Sequence, residues 1–124
     1  MVGGYAMALH GRPRHTGDLD VWVGSDVENA KRLMTALRDF GFGEVGLSAG
    51  DFTEPGQVIQ LGYPPFRIDL LTSIDGVDFT EAWQRRQRVE HDGLQIFFIG
   101  LDDLKANKRA SGRPRDIDDL ENLP

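Results

Sequence analysis

The chain has no cysteine. Disulfides and thiolate metal sites are therefore excluded, and the redox compartment is left open. Only three histidines are present among 124 residues, and the positions of His10 and His15 argue against a histidine metal site. No apolar run approaches the roughly 18 residues that a membrane span requires, and no leader pattern is visible at the start. A membrane partner is not expected, and a cytoplasmic location is the default reading. Positive charge is also in deficit: the net charge is −6 and the isoelectric point about 4.9. Such a chain does not coat nucleic acid through bulk charge, although a local basic patch remains compatible with it.

What is present fits one domain spanning residues 1–124. Hydrophobic residues make up 40% and charged residues 27%, the balance of a globular core with a wet surface. Leu19, Val21 and Val23 alternate with Asp18, Asp20 and Trp22, a period of two that predicts a strand. Ser25 and Glu28 form an S-x-x-E capping box before Val27, Ala30, Leu33, Met34, Leu37 and Phe40, whose spacing predicts a helix ending at Gly41. "QVIQLGY" and "FRIDLLTS" read as strands separated by Pro64–Pro65, and "LQIFFIG" as another. "TEAWQRRQRV" reads as one amphipathic helix with the QRRQR cluster exposed. "LDDLKANKRAS" and "PRDIDDLENL" read as two closing helices, with Pro114 in the first turn of the second. At the start, Met1–Val2 read as the end of a strand, Gly3–Gly4 as a tight turn, and Tyr5–His10 as a short helix. The predicted class is α/β or α+β, a small mixed sheet flanked by helices.

The chemistry concentrates in acids that strands would carry inward. Residues two apart in a strand share a face, so Asp18 and Asp20 present their carboxylates side by side. Asp69, between Ile68 and Leu70, is a third acid in a strand, where acids are disfavoured. If the two strands are neighbours, the three carboxylates converge within about 4–7 Å, a spacing that suits two shared Mg²⁺ ions. Gly3 and Gly4 permit close backbone approach to a phosphate. Arg12, Arg14 and His15 follow in a loop with Thr16, which orients it. Lys105, Lys108 and Arg109 share a helix face that is either solvated or reaches toward phosphates or RNA. Trp22 and Trp83 read as packing residues. Asp116, Asp118 and Asp119 read as a solvated helix face partnered by Arg113 and Arg115.

The string "VGGYAMALHGRPRHTGDLDVWV" resembles the nucleotidyltransferase superfamily of DNA polymerase beta type. The signature is a Gly-Gly or Gly-Ser pair, a spacer, and an acidic-apolar-acidic strand. Here 13 residues separate Gly4 from Asp18, and Gly4 stands where a serine hydroxyl often does. "RIDLL" looks like the strand carrying that superfamily's third carboxylate. The tail "LDDLKANKRASGRPRDIDDLENL" is similar to the closing helices of small bacterial members, including abortive-infection and toxin–antitoxin relatives. The resemblance implies Mg²⁺-dependent transfer of a nucleoside monophosphate from an NTP to an acceptor hydroxyl on RNA, protein or a small molecule. Asp18, Asp20 and Asp69 would be catalytic and metal-binding. Gly3, Gly4, Arg14, Thr16 and Lys105 would bind the nucleotide. A second reading is a non-catalytic module of the same fold, such as one half of a toxin–antitoxin pair. The family's N-terminal helix and most of its first strand have no counterpart ahead of Gly3. That predicts an uncovered edge, and a homodimer or antitoxin-type partner covering Val2, Tyr5 and Ala6.

Overall fold

A computed structural model describes residues 1–11, 18–43, 46–63 and 66–124. Arg12, Arg14, His15 and Thr16 lie outside them, as does the Pro64–Pro65 break. Helix α1 (Gly3–Leu9) leads to strand β1 (Asp18–Trp22), helix α2 (Val27–Asp39), strands β2 (Val58–Tyr63) and β3 (Phe66–Leu71), and helix α3 (Phe79–Gln84). Strands β4 (Gln87–His91) and β5 (Leu94–Phe98) follow, then helices α4 (Leu101–Ser111) and α5 (Pro114–Glu121). The class is the mixed α+β arrangement expected. The strands form a three-stranded sheet ordered β1-β3-β2 and a separate β4-β5 pair. β1 runs parallel to β3, while β2 is antiparallel to it. Among the described residues, no helix is long and apolar enough to cross a membrane.

The period-two pattern of β1 and β3 gives the three-stranded sheet two unlike faces. Val21, Ile68 and Leu70 face a core that includes Ala30 and Leu37 of α2 and fully buried Phe52. Trp22 and Leu71 face the opposite core, built from Val2, Ala6, Met7, Ile99, Leu104 and Leu123. Asp18, Asp20, Arg67 and Asp69 share parity with Trp22 and Leu71, so they lie on the second face.

Several local expectations are corrected. Gly3 and Gly4 belong to α1 rather than to a turn before it. The cap of α2 is Asp26, whose Oδ1 accepts from Asn29 N at 2.8 Å, in place of the Ser25–Glu28 box. An aspartate caps as well as a serine, and the Asn29 side chain adds a hydrogen bond to Gly24 O at 2.8 Å. Val27 and Phe40, placed on the apolar stripe, are 59% and 72% exposed; they fall at the helix ends, beyond the sheet's cover.

"TEAWQRRQRV" is not one helix. It stops at Gln84 and continues as β4, because Asp92–Gly93 adopt φ +50° and +80°. An Asp-Gly pair of that kind closes a two-residue hairpin and draws the preceding residues into a strand. The edge expected to stand open at the start is partly closed by the chain itself. Val2 N donates to Asp20 O at 3.1 Å, and Ile99 N donates to Met1 O at 3.0 Å. Val2 and Ala6 are buried, and only Tyr5 of the three named residues is exposed.

Candidate functional site

The parallel register sets Asp18 opposite Arg67 and Asp20 opposite Asp69. These four side chains line one cavity of about 510 Å³ together with Gly3, Ser73, Asp75, Asn107, Lys108, Ser111, Arg113 and Arg115. One wall is therefore acidic and carried by the sheet, and the other is basic and carried by α4 and α5. The sequence order hides this pairing, since the two walls lie far apart in the chain.

Gly3 sits directly over Asp20. Its φ is +66°, and a Cβ at this position would collide with Asp20 Oδ2. Only glycine meets both demands, a left-handed backbone and space for the carboxylate. Gly4 is buried and does not line the cavity among the described residues.

Arg67 explains how the acids coexist. Its Nη2 donates to Asp18 Oδ2 at 2.9 Å and to Asp69 Oδ2 at 3.1 Å. Nε lies 3.0 Å from Asp69 Oδ1. Yet neither Nε nor Oδ1 makes a hydrogen bond, although both are buried. Distance without alignment leaves that half of the fork weak.

Among the described residues, Asp20 has no such direct partner. Burial first, then the charges of Asp69 and Asp18, raise its pKa above the ordinary carboxylate value. Arg67 and Arg115 oppose that rise. Arg115 itself makes no ion pair among the described residues, which leaves an exposed cation looking into an acidic cavity.

The three sequence-predicted acids thus share a cavity without closing on one point. Among the described residues no three acidic or histidine side chains are grouped to hold a metal ion. Arg67 stands between two of the three acids, paired with Asp18 and Asp69. The donor set is nonetheless all hard oxygen, and Asp69 Oδ1 is a buried acceptor with no hydrogen bond. Both features suit a divalent cation.

The basic wall differs from expectation. Lys105 does not line the cavity; its Nζ donates to the Pro124 carbonyl. Lys108, one turn on, turns inward and is 4% exposed. Its Nζ lies 3.2 Å from Asp116 Oδ1 and 3.1 Å from Asp119 Oδ2. Asp116 also receives Arg113 Nε at 2.7 Å. Asp116 and Asp119, read from sequence as solvated, are fully buried.

The QRRQR cluster is likewise occupied in part. Arg85 pairs with the buried Asp103 at 2.9 Å, and Arg86 lies over the rings of Trp83 and Phe97. Trp22 packs edge-on to Phe79 at 5.0 Å, as a packing residue should. His10 Nε2 lies 2.8 Å from the Ile99 carbonyl, a structural contact.

Sequence reasoning missed Arg67, Arg113 and Arg115 as a set. The signal for Arg67 was its place two residues before Asp69, on the same strand face.

A sheet-borne acid trio facing a glycine at a helix start is the frame of a nucleotidyltransferase-type domain. Residues 1–123 match the model of a family described as nucleotidyltransferase of unknown function, DUF6036, and the chain belongs to that family. No curated protein matches it closely enough to stand as a relative.

Proposed function

We propose that this protein transfers a nucleoside monophosphate from an NTP to an acceptor hydroxyl. The observation that carries the reading is the two-walled cavity, with three carboxylates on β1 and β3 facing Arg113 and Arg115 across about 510 Å³. A nucleoside triphosphate needs that pairing: acids to hold Mg²⁺, and cations to meet phosphate oxygens.

In this reading Asp18, Asp20 and Asp69 would hold a divalent metal, which would polarise the reacting phosphate and neutralise the leaving charge. The acceptor oxygen attacks the α-phosphorus, and its O–P bond forms. The bond from the α-phosphorus to the bridging oxygen breaks, and pyrophosphate leaves. The acceptor proton passes to Asp69, the acid that β3 sets beside Asp20. Arg115, which makes no ion pair among the described residues, draws the β- and γ-phosphates toward the helical wall. Gly3, having no side chain, leaves the Asp20 carboxylate its place beside α1. The acceptor is a hydroxyl of RNA, of a protein or of a small molecule.

Incubation with labelled NTPs, Mg²⁺ and either total RNA or protein lysate tests this. Label should appear in one acceptor pool and vanish with Asp20→Asn. A second reading, a non-catalytic module that binds a nucleotide or an antitoxin-type partner, is favoured by Arg67, which neutralises Asp18 and Asp69 from within. No transfer to any pool, with nucleotide binding intact, would select it.

A further inference from the structure

We infer that Arg67 holds the place of a divalent cation between Asp18 and Asp69, and that it withdraws toward Gly62 when the metal binds. The inference rests on the reading that these carboxylates take a divalent cation.

Three observations carry it. First, the guanidinium stands between the two carboxylates, reaching Asp18 at 2.9 Å and Asp69 at 3.1 Å. A guanidinium and a divalent ion cannot share that space, since like charges at contact distance repel strongly.

Second, the hold is incomplete. Arg67 Nε and Asp69 Oδ1 are both buried and both lack a hydrogen bond. A bidentate fork would align both pairs. This one aligns a single nitrogen, shared by two acids, and so leaves Asp69 with capacity for another ligand.

Third, the side chain has somewhere to go. In the antiparallel β2–β3 register, Gly62 stands directly opposite Arg67. A glycine there places no side chain beside the arginine. The side chain therefore has two seats, one between the acids and one beside Gly62. In the first it pairs with Asp18 and Asp69 and occupies the space between them. In the second it leaves them to the metal and keeps its charge near solvent.

Removing a structural arginine weakens a site, whereas removing a resident competitor strengthens it. The two roles therefore predict opposite signs. Calorimetric titration of Mn²⁺ into wild type, Arg67→Gln and Arg67→Lys reads that sign. Arg67→Gln should bind about tenfold tighter, the scale of one lost charge-assisted contact. Arg67→Lys, which restores a cation, should return toward the wild-type affinity. Equal or weaker binding by Arg67→Gln overturns the inference while leaving the metal reading of the site intact. Absence of Mn²⁺ binding by wild type and both variants overturns the metal reading itself, and the inference with it. Because Arg67→Gln can lose stability, the wild-type protein gives a second measurement. The Arg67 side-chain nitrogen and Cζ resonances should shift with added Mg²⁺ at the midpoint of metal binding. Side-chain resonances that stay fixed at metal saturation would count decisively against exchange.

Discussion

Two charged clusters lie within one small domain, and they are built to opposite ends. Around Lys108 the charges are sealed: Asp116 and Asp119 are fully buried, and each has a cation within about 3.2 Å. Around Asp20 they are open: three carboxylates share a wide cavity, one guanidinium serves two of them, and one buried oxygen has no hydrogen bond. The acids respond in opposite directions. Burial pushes Asp116 upward, but hydrogen bonds from Arg113 and Lys108 outweigh it and hold its pKa below the ordinary value. Burial pushes Asp20 upward too, and there the neighbouring acids add to the rise. Complete pairing marks a cluster whose work is architecture. Incomplete pairing marks one that keeps room for a ligand.

Breaking the sealed cluster should have the largest effect. Lys108→Ala leaves two buried carboxylates without their shared ammonium and should destabilise the fold by about 3–5 kcal/mol, measured by urea unfolding. A loss under about 1 kcal/mol would mean that water enters and the cluster is not sealed.

Gly3→Ala strikes the open cluster through its backbone. A left-handed φ and a collision with Asp20 together should cost about 2 kcal/mol. Nucleotide transfer should fall further than stability does, because Asp20 must move. Parallel denaturation and label-transfer assays separate the two losses, and equal effects would deny Gly3 its special place over Asp20.

Arg115→Ala sharpens the contrast. Arg115 makes no ion pair among the described residues, so thermal stability should hold within about 0.5 kcal/mol. Affinity for NTP should drop about tenfold, the value of one charge-assisted phosphate contact. Lys105→Ala, outside the cavity, should leave affinity unchanged. Nucleotide titration followed by fluorescence or calorimetry reads both, and the reverse ranking would restore Lys105 to the site.

The smallest effect is on stability against pH. The native state holds Asp20's proton more tightly than the unfolded chain does. Its contribution is therefore greatest below the ordinary aspartate pKa and is lost as pH rises through the raised one. Asp116 behaves oppositely, contributing above the ordinary pKa and losing that contribution as pH falls through its lowered one. Asp20→Asn should stabilise the metal-free protein by under about 1 kcal/mol near neutral pH and flatten the first slope. Melting temperatures over a pH series check this, and a clear destabilisation would assign Asp20 a structural partner.

Much of this arrangement was legible from residues alone, and its limits are instructive. The parity of Asp18, Asp20 and Asp69 followed from alternation, as did the strands that carry them. The helix over Val27–Asp39 followed from its stripe, although its cap moved by one residue to Asp26. The β4–β5 hairpin was missed because the polar run Gln84–Arg88 fits a helix surface as well as an exposed strand. The decisive residues were Asp92–Gly93, outside that run. Lys105 was preferred to Arg115 because Arg115 read as a partner of the acids on its own helix, and only the packing of α5 shows that it lines the cavity.

The sequence by itself determined what is periodic and local: which side chains share a strand face, where the α2 stripe runs, and which residue types carry charge. These follow from backbone geometry within a few residues. Tertiary structure alone decided which charges meet. Asp116 and Asp119 became buried because α5 packs on α4 with Lys108 between them. Arg67 came to stand between Asp18 and Asp69 because β1 pairs with β3 in one register, and to face Gly62 because β2 pairs on the other side. Charge pairing depends on distances between elements remote in the chain, and a period read along one element carries no information about them.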